Sequence, residues 1–400
     1  MHIYSMTRRA MRATSSRWAY GWARATLLVA TATGLAACTD DLATAPKANL
    51  PKEGPKSPAA VINILPPGTT FPAKIAFATG MPQGKEARVQ LYDAAHNQMA
   101  SFYAFSSVDD FSAGVNVAVG DVNGDGWPDI IAGEGVTTEA PGNQSLSQVS
   151  VWNGKTGALM QTWTPFGWFK AGIRVGAADL DLDGRAEILA CTGEAVWGNR
   201  ALALKLGSTT PVDGSQISAY RPDGYAMSHG CRIAAGDVTG DGYPEMVANF
   251  DDWKYALLVV RDVQRGKEVL VRNPLGTYNH EADVALGDVN GDKIADVMLS
   301  FRQDSAVVRV FDGSKVKANQ PLVLLKELKP IYYWQYTGVD IAARDLNGDG
   351  IVDLLFKPTK TMPFWTTSAV GANAGPALTA VTGLFWFVEP GNLYPGGPVG

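Results

Sequence analysis

The sequence predicts an all-β protein made of four-stranded units set in a ring, on three observations. An acidic nine-residue motif recurs five times, starting at Asp121, Asp179, Asp237, Asp288 and Asp345, with spacings of 58, 58, 51 and 57 residues. Short apolar stretches repeat in the same order around every copy. Forty-three Gly and 23 Pro among 400 residues favour many short strands and turns over long helices. Repeats of this period, with four strands each, describe the blades of a β-propeller.

Composition narrows the function. With 46% hydrophobic and 18% charged residues, the chain is not disordered by composition. A net charge of −5 argues against nucleic acid as a partner, which would need a basic face. Three Cys exclude a disulfide-dense scaffold and a Cys-based zinc cluster, and four His leave little material for His-based metal catalysis.

The first element is an address. Arg8, Arg9, Arg12, Arg17 and Arg24 are followed by an apolar stretch from Ala25 to Ala37, with no acid in residues 1–37. That stretch is short for a bilayer-spanning helix and suits a signal peptide. It ends Leu35-Ala36-Ala37-Cys38, which resembles the lipobox of bacterial lipoproteins. The resemblance implies cleavage before Cys38 and a lipid on that residue; ordinary signal cleavage after Ala37 is the alternative. Thr39 follows, not Asp, which by resemblance to Gram-negative lipoproteins implies the outer membrane. Loss of residues 1–37 removes five positive charges and leaves a mature net charge of −10. Residues 38–68, with Pro46, Pro51, Pro55, Pro58, Pro66 and Pro67, read as an extended Pro/Lys-rich tether. Residues 69–400 are the expected propeller.

Within it, each motif follows a small-apolar strand: Val117-Ala-Val-Gly, Val175-Gly-Ala-Ala, Ile233-Ala-Ala-Gly, Val284-Ala-Leu-Gly and Ile341-Ala-Ala-Arg. Each precedes an apolar one: Ile130-Ile-Ala-Gly, Ile188-Leu-Ala-Cys, Met246-Val-Ala-Asn, Val297-Met-Leu-Ser and Leu354-Leu-Phe. Alternating strands ending in Asn-Gly or Asp-Gly follow, as in Val149-Ser-Val-Trp-Asn-Gly, and signal a hairpin to a fourth strand. The segments Phe77–Gly80, Arg88–Asp93 and Met99–Phe105 look like the last three strands of a further blade, completed across the ring by residues after Asp353. Six blades are expected, with seven as the alternative because the tail from Lys357 is long.

These repeats resemble the FG-GAP/VCBS family, the calcium-binding blades of integrin α-subunit propellers and many bacterial surface proteins. The resemblance spans residues 70 to 390.

The motif spacing sets oxygen ligands at positions one, three, five and nine of a tight loop. They are Asp121, Asn123, Asp125 and Asp129; Asp179, Asp181, Asp183 and Glu187; Asp237, Thr239, Asp241 and Glu245; Asp288, Asn290, Asp292 and Asp296; and Asp345, Asn347, Asp349 and Asp353. Calcium takes six to eight such oxygens at ~2.3–2.6 Å. An EF-hand is excluded, because position twelve is Ala132, Ala190, Ala248, Leu299 or Phe356 and strands flank the loop. Plain Asx-rich turns leave unexplained why sixteen carboxylates crowd into five loops. Up to five structural Ca²⁺ ions are expected. Leu182 stands where Gly is common, Thr239 is a weak ligand, and Lys293 costs turn geometry.

No His-Glu-x-x-His, Gly-x-Ser-x-Gly or Walker pattern occurs. His96 reads as a solvated turn residue. His229 and His280 each lie eight residues before a motif, and Asn116, Arg174, Arg232, Asp283 and Asp340 lie five before one. The latter five would begin the innermost strands at one channel mouth, either as solvated, mutually paired lining or as a ring orienting a ligand. Cys191 ends a second strand and Cys231 begins the next first strand, on the face opposite the acidic loops. A disulfide between them is open, subject to geometry. Connections on that same face contain Pro165, Phe166, Trp168, Phe169, Trp197, Tyr225, Trp253, Tyr255, Tyr278, Tyr332, Tyr333, Trp334 and Tyr336. Aromatic faces stack on sugar rings and anchor protein interfaces. The expected binding set is Trp168, Trp197, Trp253, Tyr333, Trp334, His229, His280, Arg174 and Arg232.

The resulting expectation is a monomeric, non-enzymatic, calcium-stabilised propeller lipoprotein at the cell envelope. Its partner would be an extracellular or periplasmic protein or glycan, with the membrane held through Cys38. The alternatives are a polysaccharide-acting enzyme using the channel-mouth residues, and a purely structural module.

Overall fold

The computed structural model describes residues 70–80, 87–95, 97–105, 114–135, 147–167, 171–193, 199–252, 255–276, 281–303, 305–330, 338–345, 349–359, 367–370, 373–374, 381–382 and 385–388. The expected signal peptide, Cys38 and the tether lie outside them. So do His96, Trp168, Phe169, Trp197, Trp253, Tyr278, His280, Tyr332, Tyr333, Trp334, Tyr336 and Asn347.

β1 (Phe77–Gly80), β2 (Arg88–Tyr92) and β3 (Gln98–Tyr103) form a three-stranded sheet. Four four-stranded antiparallel meanders follow. The first is β4 (Val115–Gly120), β5 (Asp129–Glu134), β6 (Val149–Trp152) and β7 (Leu159–Trp163). The second is β8 (Ile173–Ala178), β9 (Glu187–Thr192), β10 (Arg200–Leu204) and β11 (Ile217–Ser218). The third is β12 (Cys231–Gly236), β13 (Glu245–Asp252), β14 (Tyr255–Asp262) and β15 (Lys267–Arg272). The fourth is β16 (Ala282–Gly287), β17 (Asp296–Phe301), β18 (Val308–Phe311) and β19 (Leu324–Leu328). β20 (Val339–Arg344) and β21 (Asp353–Pro358) make a two-stranded sheet. Finally β22 (Thr367–Val370) pairs with β25 (Phe385–Val388), and β23 (Asn373–Ala374) with β24 (Val381–Thr382).

The all-β propeller expectation holds, with a different blade count. Among the described residues there are five blades of three to four strands, not six or seven. The fifth motif pair, β20–β21, is bonded to no third strand among the described residues. The segment expected to await completion from the C-terminus is instead an inner strand: Ala76–Gly80 lines the central cavity, and a Cβ on Gly80 would meet the Val115 carbonyl. The described strands after Pro358 pair with one another rather than with β1.

Burial follows position along each blade. The second strands β5, β9, β13 and β17 are buried throughout, because a neighbouring sheet covers each face. Two-sided burial selects near-continuous apolar runs such as Ile130-Ile-Ala. Fourth strands such as β15 and β19 are largely solvated and carry Lys and Glu. Each adjacent pair of sheets encloses its own apolar cluster; Val247, Leu258, Val297 and Leu299 fill the one between the third and fourth meanders. A small cluster of Ala76, Phe77, Tyr92 and Leu355 joins the first sheet to β21. Among the described residues no helix is long and apolar enough to cross a membrane.

Candidate functional site

Every acidic motif connects a first to a second strand, so all five leave the same end of the blades. The register repeats: Gly120 faces Asp129, Gly236 faces Glu245 and Gly287 faces Asp296. Position two of the loop, Val122, Leu180, Val238 or Val289, is buried and anchors it in the core. Position one then gathers backbone donors. Asp121 accepts from the N–H groups of Gly124 at 2.7 Å, Asp125 at 3.1 Å and Gly126 at 2.7 Å. Asp237 accepts from Gly240 at 2.6 Å, Asp241 at 3.0 Å and Gly242 at 2.7 Å. Asp345 accepts from Gly350 at 2.9 Å.

Position nine is buried. Asp129 accepts from Val122 N at 3.0 Å and Gly154 N at 2.8 Å, and Glu245 from Val238 N at 2.8 Å. Burial pushes Asp129 and Asp296 up to about 6 and raises Glu187 and Glu245. A nearby cation offsets that cost. Carboxylate oxygens of Asp237, Asp241 and Glu245 lie within 4.8 Å of one another, as do those of Asp179, Asp181 and Asp183. The donors are the hard oxygens that calcium takes, so the chemistry of the set fits that ion. In the 121 and 288 loops, Asn123 and Asn290 each donate an amide N–H to the position-nine carboxylate.

In the four-stranded blades the hairpin between third and fourth strands overhangs the loop. Asn153 Nδ2 donates to Asp125 Oδ2 at 3.1 Å. Lys205 Nζ lies 2.7 Å from Asp181 Oδ2, 2.8 Å from Asp183 Oδ2 and 3.4 Å from Glu187 Oε1. Arg265 pairs with Asp241 and, at 3.5 Å, with Asp262.

At the other end, Asn116, Arg174, Arg232, Asp283 and Asp340 each occupy the second place of an inner strand, and all five line one central cavity of about 350 Å³. Glu281, which sequence reasoning missed, organises the charges there. It takes Arg174 and Arg302 as partners, and Arg232 Nη2 at 2.6 Å. Arg302 also pairs with Asp340, and Asp283 accepts from Ile341 N at 3.0 Å. Burial acts to raise the Glu281 carboxyl, but the three guanidiniums hold it well below the usual range. Burial and Glu281 push the neighbouring Asp251 up to about 7.

On this face Cys191 and Cys231 are joined by a disulfide, with Cα atoms 5.8 Å apart. His229 Nδ1 is 3.6 Å from Asp252 Oδ1 and turns to that carboxylate, not to the cavity set. The β11–β12 connection exposes Tyr220 (57%) and Tyr225 (67%), with Arg221 over the Tyr225 ring at 5.1 Å. Phe166 is half-buried against the core between the first two meanders.

Residues 113–152, which hold β4, the first acidic loop, β5 and β6, match the family model described as FG-GAP repeat. This segment is thus similar to an FG-GAP repeat. The four other acidic loops repeat the motif at the centre of this FG-GAP segment. No curated protein matches the chain. Solved structures similar to it include AofleA from Arthrobotrys oligospora, at 10% identity over 76% of this chain and 84% of that one, with a TM-score of 0.42. A protein from Lactobacillus plantarum is similar at 13% identity over 78% and 81%, with a TM-score of 0.41. The Dos1 propeller is similar at 10% identity over 72% and 71%, with a TM-score of 0.37.

Proposed function

We propose that this chain is a calcium-stabilised propeller lipoprotein that binds a protein or glycan and is not an enzyme. Cys38 holds it through a lipid at the bacterial cell envelope, in the outer membrane, and residues 38–68 extend the propeller from that anchor. The observation that supports this reading is the polarity of the blades. Acidic loops with buried ninth-position carboxylates gather at one end of the strands, and Tyr220 and Tyr225 stand exposed at the other. The first end suits ions that pin paired strands; the second suits a ligand. Trp168, Trp197, Trp253, Tyr333, Trp334 and His280 belong to connections that leave the same strand ends as Tyr225, and they extend the binding set.

The non-enzymatic reading draws on charge pairing. Glu281 takes three guanidiniums and Asp340 takes Arg302, so these five charged side chains are spent on one another. One observation favours the polysaccharide-acting alternative: Asp283, Asp340, Arg174 and Arg232 do share one cavity.

A glycan array and a defined-protein pull-down with the calcium-loaded chain test the reading. Bound ligand lost in Trp168→Ala/Trp334→Ala, with calcium binding unchanged, supports it. Normal binding by the double variant places the site elsewhere, and new reducing ends from a bound polysaccharide favour the enzyme. Membrane retention and normal processing of Cys38→Ala would overturn the lipid anchor.

A further inference from the structure

The 179–187 loop differs from the other four in two linked respects. It alone has a carboxylate, Asp181, at position three, where the others have Asn123, Thr239, Asn290 and Asn347. It alone among the four-stranded blades also has a cation at the hairpin place above the loop. Strand register defines that place: Trp152, Leu204, Arg261 and Phe311 pair with Ile130, Ile188, Met246 and Val297, each the residue after motif position nine. The next residues are Asn153, Lys205, Asp262 and Asp312.

Lys205 reaches down from that place onto positions three, five and nine, at 2.7 Å, 2.8 Å and 3.4 Å. Those are three of the four side chains that a divalent ion would use in this loop. Glu187 spends its other oxygen on Leu180 N at 2.7 Å, so the oxygen turned to Lys205 is the one left for a cation. The carboxylates in turn strengthen the ammonium's hold on its proton. Arg265 in the next blade contrasts with this: it touches a single carboxylate of its acidic loop, Asp241, and shares itself with Asp262.

We infer that Lys205 is the resident cation of the 179–187 loop, so that this loop binds no calcium in the wild-type chain. A divalent ion entering there must break three ion pairs and face an ammonium held over the same oxygens. Asp181 belongs with Lys205, because the extra carboxylate gives the ammonium a third partner.

The test counts calcium per chain by equilibrium dialysis of the full chain with calcium alone, comparing wild type, Asp183→Asn and Lys205→Asn. Asparagine is the residue that the first meander has at this place. The inference expects Asp183→Asn to bind as many ions as wild type, and Lys205→Asn to bind one more. No added ion in Lys205→Asn, or one fewer in Asp183→Asn, overturns it. A Lys205→Asn chain that folds only with calcium present supports it; should that variant not fold at all, the Asp183→Asn count decides alone. The inference rests on the calcium reading only for the other loops. A wild-type chain without calcium refutes that reading, while a missing gain in Lys205→Asn refutes this one.

Discussion

Gly154 donates its backbone N–H to Asp129 Oδ1 at 2.8 Å, and Gly313 does the same to Asp296 at 3.0 Å. In these two blades the bond ties the hairpin of the outer strands to the acidic loop of the inner ones. The carboxylate that closes the loop is therefore also a blade staple.

The close approach that makes this bond leaves no room for a side chain. A Cβ on Gly154 would lie 1.7 Å from the Pro128 carbonyl oxygen, and one on Gly313 would lie 1.9 Å from that of Ala295. Gly154→Ala must push the hairpin off the loop, and overpacking of this kind costs roughly 1–3 kcal/mol. Urea unfolding should show that loss, and a midpoint equal to wild type would contradict the staple.

Lys293 and Leu182 take left-handed backbone, with φ of 68° and 60°, in places where other acidic loops have Gly. Non-glycine residues pay about 1–2 kcal/mol for that conformation. Lys293→Gly should therefore raise stability by up to about 1 kcal/mol after the added freedom of the unfolded chain is counted. Thermal unfolding in EDTA reads this without interference from bound metal.

The periodic parts of this protein were legible in its sequence. The small-apolar and apolar stretches around each motif are the inner and second strands, because two-sided burial leaves a compositional trace. Blade count was not legible: Phe77–Gly80 reads as a strand wherever it sits, and only its approach to Val115 makes it an inner one. Asn153-Gly154 signalled a tight turn, yet the left-handed residue of that hairpin is Gly157, and Gly154 is needed for closeness to Pro128. Glu281 and Lys205 were invisible for another reason. Arg174 and Glu281 meet across 107 residues, and no local pattern marks such a meeting.

Asp251 makes stability depend on pH. Its folded value is raised to about 7 by burial and Glu281, so the folded state keeps a proton that the unfolded chain releases near pH 4. The stabilisation linked to this proton is full below about pH 4, declines as pH rises, and is gone above about pH 7. Asp251→Asn should match wild type near pH 4 and exceed it at pH 8. Parallel curves for the two proteins across that window would reject the assignment.

The Cys191–Cys231 bond closes a loop with a sequence separation of 40. Chain-entropy reasoning gives about 4 kcal/mol for a loop of that size. Cys191→Ala/Cys231→Ala should lower the urea midpoint accordingly, and mass spectrometry of exported, unreduced protein should find no free thiol at either position.

The central claim is that cations at the acidic loops hold the blades together. An ion that binds only the folded chain adds about 2.7 kcal/mol per site at a hundredfold excess over its dissociation constant. The most direct measurement is the melting temperature of the full chain in calcium and after exhaustive EDTA treatment, with metal content assayed in both samples. The account predicts a higher melting temperature with calcium, rising further with its concentration. An unchanged melting temperature in EDTA, in protein shown to retain no metal, would contradict it.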